Sequence, residues 1–184
     1  MNIVTDHSTT ARMMSARKDW AMKGINTLAV LALTLCAVTV ARAETQTFLA
    51  YDFEFENGSV LPELRVAYET RGNLDPGRDN AVLLVPGASG NLHAFDPVIG
   101  PGATFDTNKY FVITTDPIGG GESSSPQDGL GQDFPRYTVR DMMTAQYALV
   151  TRGLELSTLR AVGGSSMGSF VSTTAGGGIG SKRA

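Results

Sequence analysis

The stretch Gly164-Ser165-Ser166-Met167-Gly168, directly after the short apolar run Leu159-Arg160-Ala161-Val162, narrows the possible folds more than any other. A helix here would carry too many glycines, each costing about 1 kcal/mol in a helix interior. A strand breaks down after Val162. A strand that ends in a sharp turn satisfies both constraints. In a G-x-S-x-G turn the central serine projects from strained backbone, and the glycines two before and two after it avoid clashes between the strand end and the following helix. Ser166 is then a nucleophile, Ser165 a spacer, and Gly164 and Gly168 the elbow glycines. The Met167 amide would face the oxyanion formed when Ser166 attacks an ester or thioester carbonyl. The alternative for five such residues alone is a Gly/Ser-rich loop.

The residues upstream supply the setting. Phe48 to Gly58 alternates apolar and polar residues with period two and ends in Asn57-Gly58, a turn signal. Leu61 to Gly72 follows as a second strand, so the pair predicts a hairpin. Ala81-Val82-Leu83-Leu84-Val85 is a continuous apolar run stopped by Pro86-Gly87, as expected of a strand buried on both faces of a parallel sheet. Lys109 to Asp116 repeats that pattern and gives way to a loop rich in Gly and Ser. A helix follows, capped by Thr138 with Asp141 three residues on. Val139, Met142, Met143, Tyr147 and Val150 mark its apolar face, and Gly153 ends it. The order of hairpin, strand, strand, helix, strand predicts an α/β fold, a mostly parallel sheet opening with an antiparallel pair.

Residues 1–43 read as an N-terminal extension and secretory signal peptide. Met22-Lys23 leads into an uncharged apolar run, Ile25 to Val40, closed by Ala41-Arg42-Ala43. Cleavage is expected after Ala43 and the product is expected to be exported, periplasmic or secreted. The run is shorter than the roughly 20 residues that span a bilayer, so membrane association would arise only from an uncleaved leader. Either Met1 or Met22 can be the start. Cleavage removes Cys36, the single cysteine, and with it disulfides, thiolate catalysis and cysteine metal sites. From Glu44 onward, sixteen Asp+Glu face ten Lys+Arg with no basic block, which argues against nucleic acid. No ligand cluster for a metal is evident, and no cofactor is expected.

A second oxyanion donor should come from the loop after an earlier buried strand. Gly87-Ala88-Ser89-Gly90 occupies that place, and Ala88 is the candidate donor; an ordinary strand-to-helix turn would read the same. His93, the one histidine left after cleavage, lies before the serine, whereas the order expected is Ser, acid, His. It is therefore expected to be a loop or partly buried histidine and not the base.

Five segments in order resemble the homoserine O-acetyltransferase branch of the α/β-hydrolase superfamily: "LPELRVAYETRGNL", "AVLLVPGASGNLHAF", "FDTNKYFVITTDPIGGGESSSP", "FPRYTVRDMMTAQYALV" and "LRAVGGSSMGS". Together they cover most of Phe48 to Ser169. The resemblance implies an α/β-hydrolase fold, a Ser–Asp–His triad and a covalent acyl-enzyme at Ser166. Three departures modify it. The family usually has His-Ala-Leu-Thr-Gly where this chain has Pro86-Gly87-Ala88-Ser89-Gly90. Its transferases work in the cytoplasm beside acetyl-CoA, so an exported relative would favour water as acceptor. The family also continues well beyond the elbow, whereas the 18 residues after Ser166 hold no Asp, Glu or His and are glycine-rich where a helix belongs.

Residues 44–184 are accordingly expected to form a partial α/β-hydrolase domain, truncated after the nucleophile elbow. The function expected is that of a serine acyl-transfer enzyme, an esterase or an O-acyltransferase acting on a small ester or thioester. The alternative is a non-catalytic remnant or binding module. The oligomeric state is left open by the sequence.

Overall fold

A computed structural model describes residues 43–88 and 90–169. The leader expected over 1–43 lies, but for Ala43, outside the described residues, as does the glycine-rich tail from Phe170 onward.

The period-two segments form β1 (Gln46–Glu54) and β2 (Val60–Arg71), paired antiparallel from Gln46 opposite Tyr68 to Glu54 opposite Val60. Their turn is local chemistry. Asn57 Oδ1 accepts from the Ser59 N–H at 2.9 Å, Gly58 adopts φ +80°, and the Phe55 N–H reaches the Ser59 carbonyl at 2.8 Å. The two continuous apolar runs become β3 (Ala81–Val85) and β6 (Phe111–Thr115), which pair in parallel. Between them lies a small parallel pair that the sequence did not announce, β4 (Ile99–Gly100) and β5 (Phe105–Asp106). The last strand, β7 (Ala161–Gly164), joins β3 in parallel.

The five-stranded sheet therefore runs β1-β2-β6-β3-β7, antiparallel at the hairpin side and parallel across β6, β3 and β7. Every residue of β3 is buried, because both faces are covered. One face packs Leu64, Val66, Leu83, Val85 and Ile113 against the helix α1 (Val139–Ala148) and the turn after it. The other face offers Val82, Leu84 and Val112, covered by Phe95, Ile99, Phe105 and Tyr110 from the long β3–β6 connection.

Helix α1 begins as its sequence predicts, and Met142, Met143 and Val150 of the expected apolar face do meet the core, but Val139 and Tyr147 do not. Asp141, Met142, Ala145, Gln146 and Ala148 are buried, while Val139 is 37% and Tyr147 45% exposed. At about 100° per residue, Tyr147 lies about 140° around the helix from Met142 and cannot share its contact. The inward face is set by Asp141. Its Oδ2 accepts from the Thr138 N–H at 2.7 Å, completing the capping box, and its Oδ1 accepts from the Glu56 N–H at 2.7 Å. One carboxylate thus fixes the helix start and ties it to the hairpin turn. After Ala148 the helix widens into a π turn, Leu149–Gly153, where a Cβ on Gly153 would lie 2.7 Å from Phe48 Cδ2.

Strand β7 also differs from expectation, starting at Ala161 and running into the glycines instead of occupying 159–162. Its register with β3, from Val82 opposite Ala161 to Val85 opposite Gly164, carries the ladder right up to the turn.

Replacing Asp141 by Ala removes a cap and leaves the Glu56 amide without its acceptor. Unfolding in urea is expected to show a loss of about 2–3 kcal/mol.

Candidate active site

Because β3 and β7 are parallel neighbours, their C-terminal ends open side by side at one edge of the sheet, the edge where sites in open α/β sheets form. The loop after β3 and the turn after β7 meet there. Ser165 donates its N–H to the Val85 carbonyl at 3.3 Å, and the chain then reverses at Ser166, which sits at φ +51°. That left-handed conformation is unfavourable for a residue with a Cβ. It is held by a tight turn: the Gly168 N–H donates to the Ser165 carbonyl at 2.9 Å, the Ser169 N–H to the Ser166 carbonyl at 3.0 Å, and Ser169 Oγ to the Gly164 carbonyl at 3.0 Å. The backbone is helical from Met167 to Ser169.

The two flanking glycines are fixed by contact distances. A Cβ on Gly164 would lie 2.2 Å from the Gly168 carbonyl oxygen. A Cβ on Gly168 would lie 2.1 Å from the Val85 carbonyl oxygen and 2.6 Å from that of Pro86. Neither neighbour is a movable side chain. Ser166 itself is exposed, Met167 is half-buried against the core, and Gly168 is buried.

The loop after β3 comes within contact of the serine. A Cβ on Gly87 would meet Ser166 Cβ at 3.1 Å and the Ser165 carbonyl at 3.3 Å. Ala88, next in the chain, is exposed, and the loop closes with the Gly90 N–H on the Gly87 carbonyl at 2.9 Å. Ser166 and Gly87 are thus brought together at the C-terminal ends of β3 and β7, with Met167 and Ala88 next to them in the chain. The N–H of Met167 belongs to the first helical residue, where no intrahelical acceptor exists. Such a group is available to a developing oxyanion.

His93 sits in a ring of charged groups. Arg71 Nη2 lies 2.9 Å from Glu69 Oε2 and 2.6 Å from Asp96 Oδ1, and His93 Nδ1 lies 3.4 Å from Asp96 Oδ2 and 3.9 Å from Glu69 Oε1. Burial pulls the Arg71 guanidinium down, but its bonds to Glu69 and Asp96 outweigh that and hold it above its ordinary value. Each carboxylate spends one oxygen on Arg71 and turns the other toward His93. The ring fastens the β3–β6 connection to β2.

Asp116, which the sequence marks only as a strand end, proves central to this edge. It is 1% exposed. Its Oδ1 accepts from the Leu92 N–H and its Oδ2 from the Glu122 N–H, both at 2.7 Å, so one carboxylate joins the loop after β3 to the loop after β6. Gly121, at φ +56°, wraps so closely that a Cβ there would lie 1.9 Å from Oδ2. Burial pushes the Asp116 carboxyl above its ordinary value; Glu122 adds to this, and the two amides and His93 oppose it without cancelling it. The serines beyond it are structural. Ser123 Oγ accepts from the Ala67 N–H at 2.9 Å and Ser124 Oγ from the Arg65 N–H at 2.9 Å, continuing the ladder of β2 where β6 has ended. The run Gly119-Gly120-Gly121 was the available signal for so close a wrap.

Among the described residues no group of three or more His, Cys, Asp or Glu could hold a metal ion, and no helix is long and apolar enough to cross a membrane.

Comparison with known proteins gives the same architecture. Residues 80–177 match the family described as alpha/beta hydrolase fold. A homoserine O-acetyltransferase of Methanohalophilus mahii is 39% identical over 136 residues, covering 63% of this chain and 28% of that protein. Two solved structures superpose well. The acetylester hydrolase from Corynebacterium glutamicum has a TM-score of 0.63 at 32% identity, over 68% of this chain and 38% of its own. The homoserine O-acetyltransferase from Bacillus anthracis also has a TM-score of 0.63, at 30% identity, over 71% and 42%. The chain thus spans well under half the length of each.

Two tests follow from the geometry. Gly164→Ala drives a methyl into backbone and is expected to cost about 3 kcal/mol, the upper range of overpacking. Gly163→Ala meets only the end of the Leu84 side chain, at 3.0 Å, and is expected to cost less than about 1 kcal/mol. Thermal unfolding of the two side by side checks this. The second concerns Asp116. A carboxyl that binds its proton more tightly in the folded state contributes most below its unfolded value of about 4, and that contribution is lost as the pH rises through the folded value. Relative to Asp116→Asn, the wild type is therefore expected to gain stability as the pH falls from neutral toward about 4, measured by chemical unfolding of both at matched pH.

Proposed function

The chain belongs to the alpha/beta hydrolase fold family, and on that footing we propose that it is a serine-nucleophile acyl-transfer enzyme acting on a small ester or thioester. The observation that carries this is Ser166: a non-glycine residue held at φ +51° between two glycines that admit no side chain, exposed, and in contact with the loop after β3. Strain of this kind costs of order 1–3 kcal/mol and persists where the surroundings enforce it, most often at functional sites.

In this mechanism Ser166 Oγ attacks the acyl carbonyl while a base takes its proton. The carbonyl π pair becomes an oxyanion, received by the Met167 N–H and by the Ala88 N–H. Collapse expels the alcohol or thiol, which takes up the proton, and leaves the acyl group on Ser166. A second attack, by water or by an acceptor hydroxyl, regenerates the serine. Each oxyanion donor is worth about 10²–10³ in rate. The reading gives His93, which lies beside Glu69 and Asp96, no part as the base, because it precedes Ser166 where the expected order is Ser, acid, His.

Similarity to both an acetylester hydrolase and homoserine O-acetyltransferases supports acyl transfer and leaves two acceptors, water and a hydroxyl. The leader-like sequence from Met22 to Ala43 favours water. A protein exported through it meets no pool of acyl-CoA, so we infer an exported esterase.

A fluorophosphonate probe on the full chain tests the reading. Covalent labelling that maps to Ser166 and vanishes in Ser166→Ala is expected. A folded wild type that stays unlabelled overturns catalysis at Ser166 and favours a binding module.

A further inference from the structure

We propose that Asp116 is a positioning residue for the oxyanion loop, acting through Leu92 to set where the Ala88 N–H stands relative to Ser166. The inference rests on the acyl-transfer reading of Ser166.

Three observations carry it. The first is placement. Asp116 follows β6, the strand beside β3, and its two oxygens reach the loops after both strands, at Leu92 and at Glu122. Leu92 is 2% exposed, so its amide is anchored, and it lies four residues beyond Ala88 in a loop already tightened by the Gly87–Gly90 turn.

The second is chemistry. Two backbone N–H groups converge on one side chain from different loops. A carboxylate alone offers two acceptor oxygens and no donor; an amide of the same shape must turn an NH₂ toward one of those donors. The second loop also wraps closely on this side chain, since Gly121 leaves no room for a Cβ beside Oδ2. The backbone carbonyl of Asp116 is held as well, accepting from Ser123 Oγ at 2.9 Å and from Gln146 Nε2 at 3.5 Å, so the strand end cannot swing away.

The third is energetic direction. Burial disfavours the ionised carboxyl, with Glu122 adding repulsion and His93 attraction. The fold carries a group whose charge it does not welcome. An isosteric amide would relieve that burden but set its NH₂ against one of the two N–H donors, so what the acid supplies here is acceptance from both loops at once. That holds the two loops at a fixed spacing, and a displacement of about 1 Å in a reacting geometry can cost about 10²-fold in rate.

The test uses the full chain and a fluorophosphonate, with rates measured over a range of probe concentrations. Asp116→Asn is expected to lower the saturating labelling rate of Ser166 about 10- to 100-fold. The half-saturating probe concentration should stay unchanged, because the oxyanion contact forms only during attack. Amide hydrogen exchange should quicken at Leu92 or Glu122, and labelling should slow by more than any change in melting temperature at neutral pH accounts for. Gly121→Ala, which presses on the same carboxylate from the other loop, should slow labelling likewise, and it decides the matter if Asp116→Asn does not fold. A variant that labels at the wild-type rate overturns the positioning role while leaving Ser166 as nucleophile. Slowed labelling in strict proportion to lost stability also overturns it, since that is the signature of a structural residue. A wild type that does not label sinks both proposals together.

Discussion

The contact between the elbow and the end of β3 is the constraint on which the site depends. The Val85 carbonyl is approached from two sides, by the Ser165 N–H at 3.3 Å and by Gly168, whose Cα faces it so closely that a Cβ would lie 2.1 Å away. Only a glycine can stand there, and only a strand buried over its full length offers so fixed a surface. With β7 paired to β3 through Gly164, the turn has no freedom to relax, and Ser166 is left at φ +51°. The strain on the serine is thus sustained chiefly by backbone packing, to which the Ser169 Oγ bond to the Gly164 carbonyl adds.

Around this rigid seam the fold uses buried polar groups as staples. Asp141 joins a helix start to the hairpin turn at Glu56. Ser123 and Ser124 extend the β2 ladder beyond the end of β6. The ring of Glu69, Arg71, Asp96 and His93 binds the β3–β6 connection to β2. Asp116 joins two loops at the edge where the serine stands. Three of the four lie in or against connections that have no α-helix of their own, only short 3-10 turns. A buried donor left unpaired costs about 1–3 kcal/mol, so irregular segments packed this closely need such partners.

What the sequence revealed and what it hid follow from range. The hairpin, the buried runs at Ala81–Val85 and Phe111–Thr115, the Thr138 cap and the G-x-S-x-G turn are local patterns, and each is legible within about ten residues. The resemblance across Phe48 to Ser169 then identified the α/β-hydrolase fold. The helix face is legible at Met142, Met143 and Val150 but not at Val139 and Tyr147, because the inward direction also depends on Asp141 reaching Glu56, far back in the chain. Strand β7 was placed two residues early because its glycines look like loop, although their backbone carries the ladder to Val85. The role of Asp116 and the destination of His93 depend on partners brought together only by the sheet order, which no window of sequence contains.

His93 shows how closely these staples are set. Glu69 and Asp96 each approach its Nδ1 while binding Arg71 through their other oxygen. Its position loads the same connection that Asp116 restrains at Leu92, one residue away. The loop carrying Gly87 and Ala88 is therefore gripped at adjacent residues, Leu92 from the end of β6 and His93 from β2. Under the acyl-transfer proposal, both contacts bear on where the Ala88 amide stands.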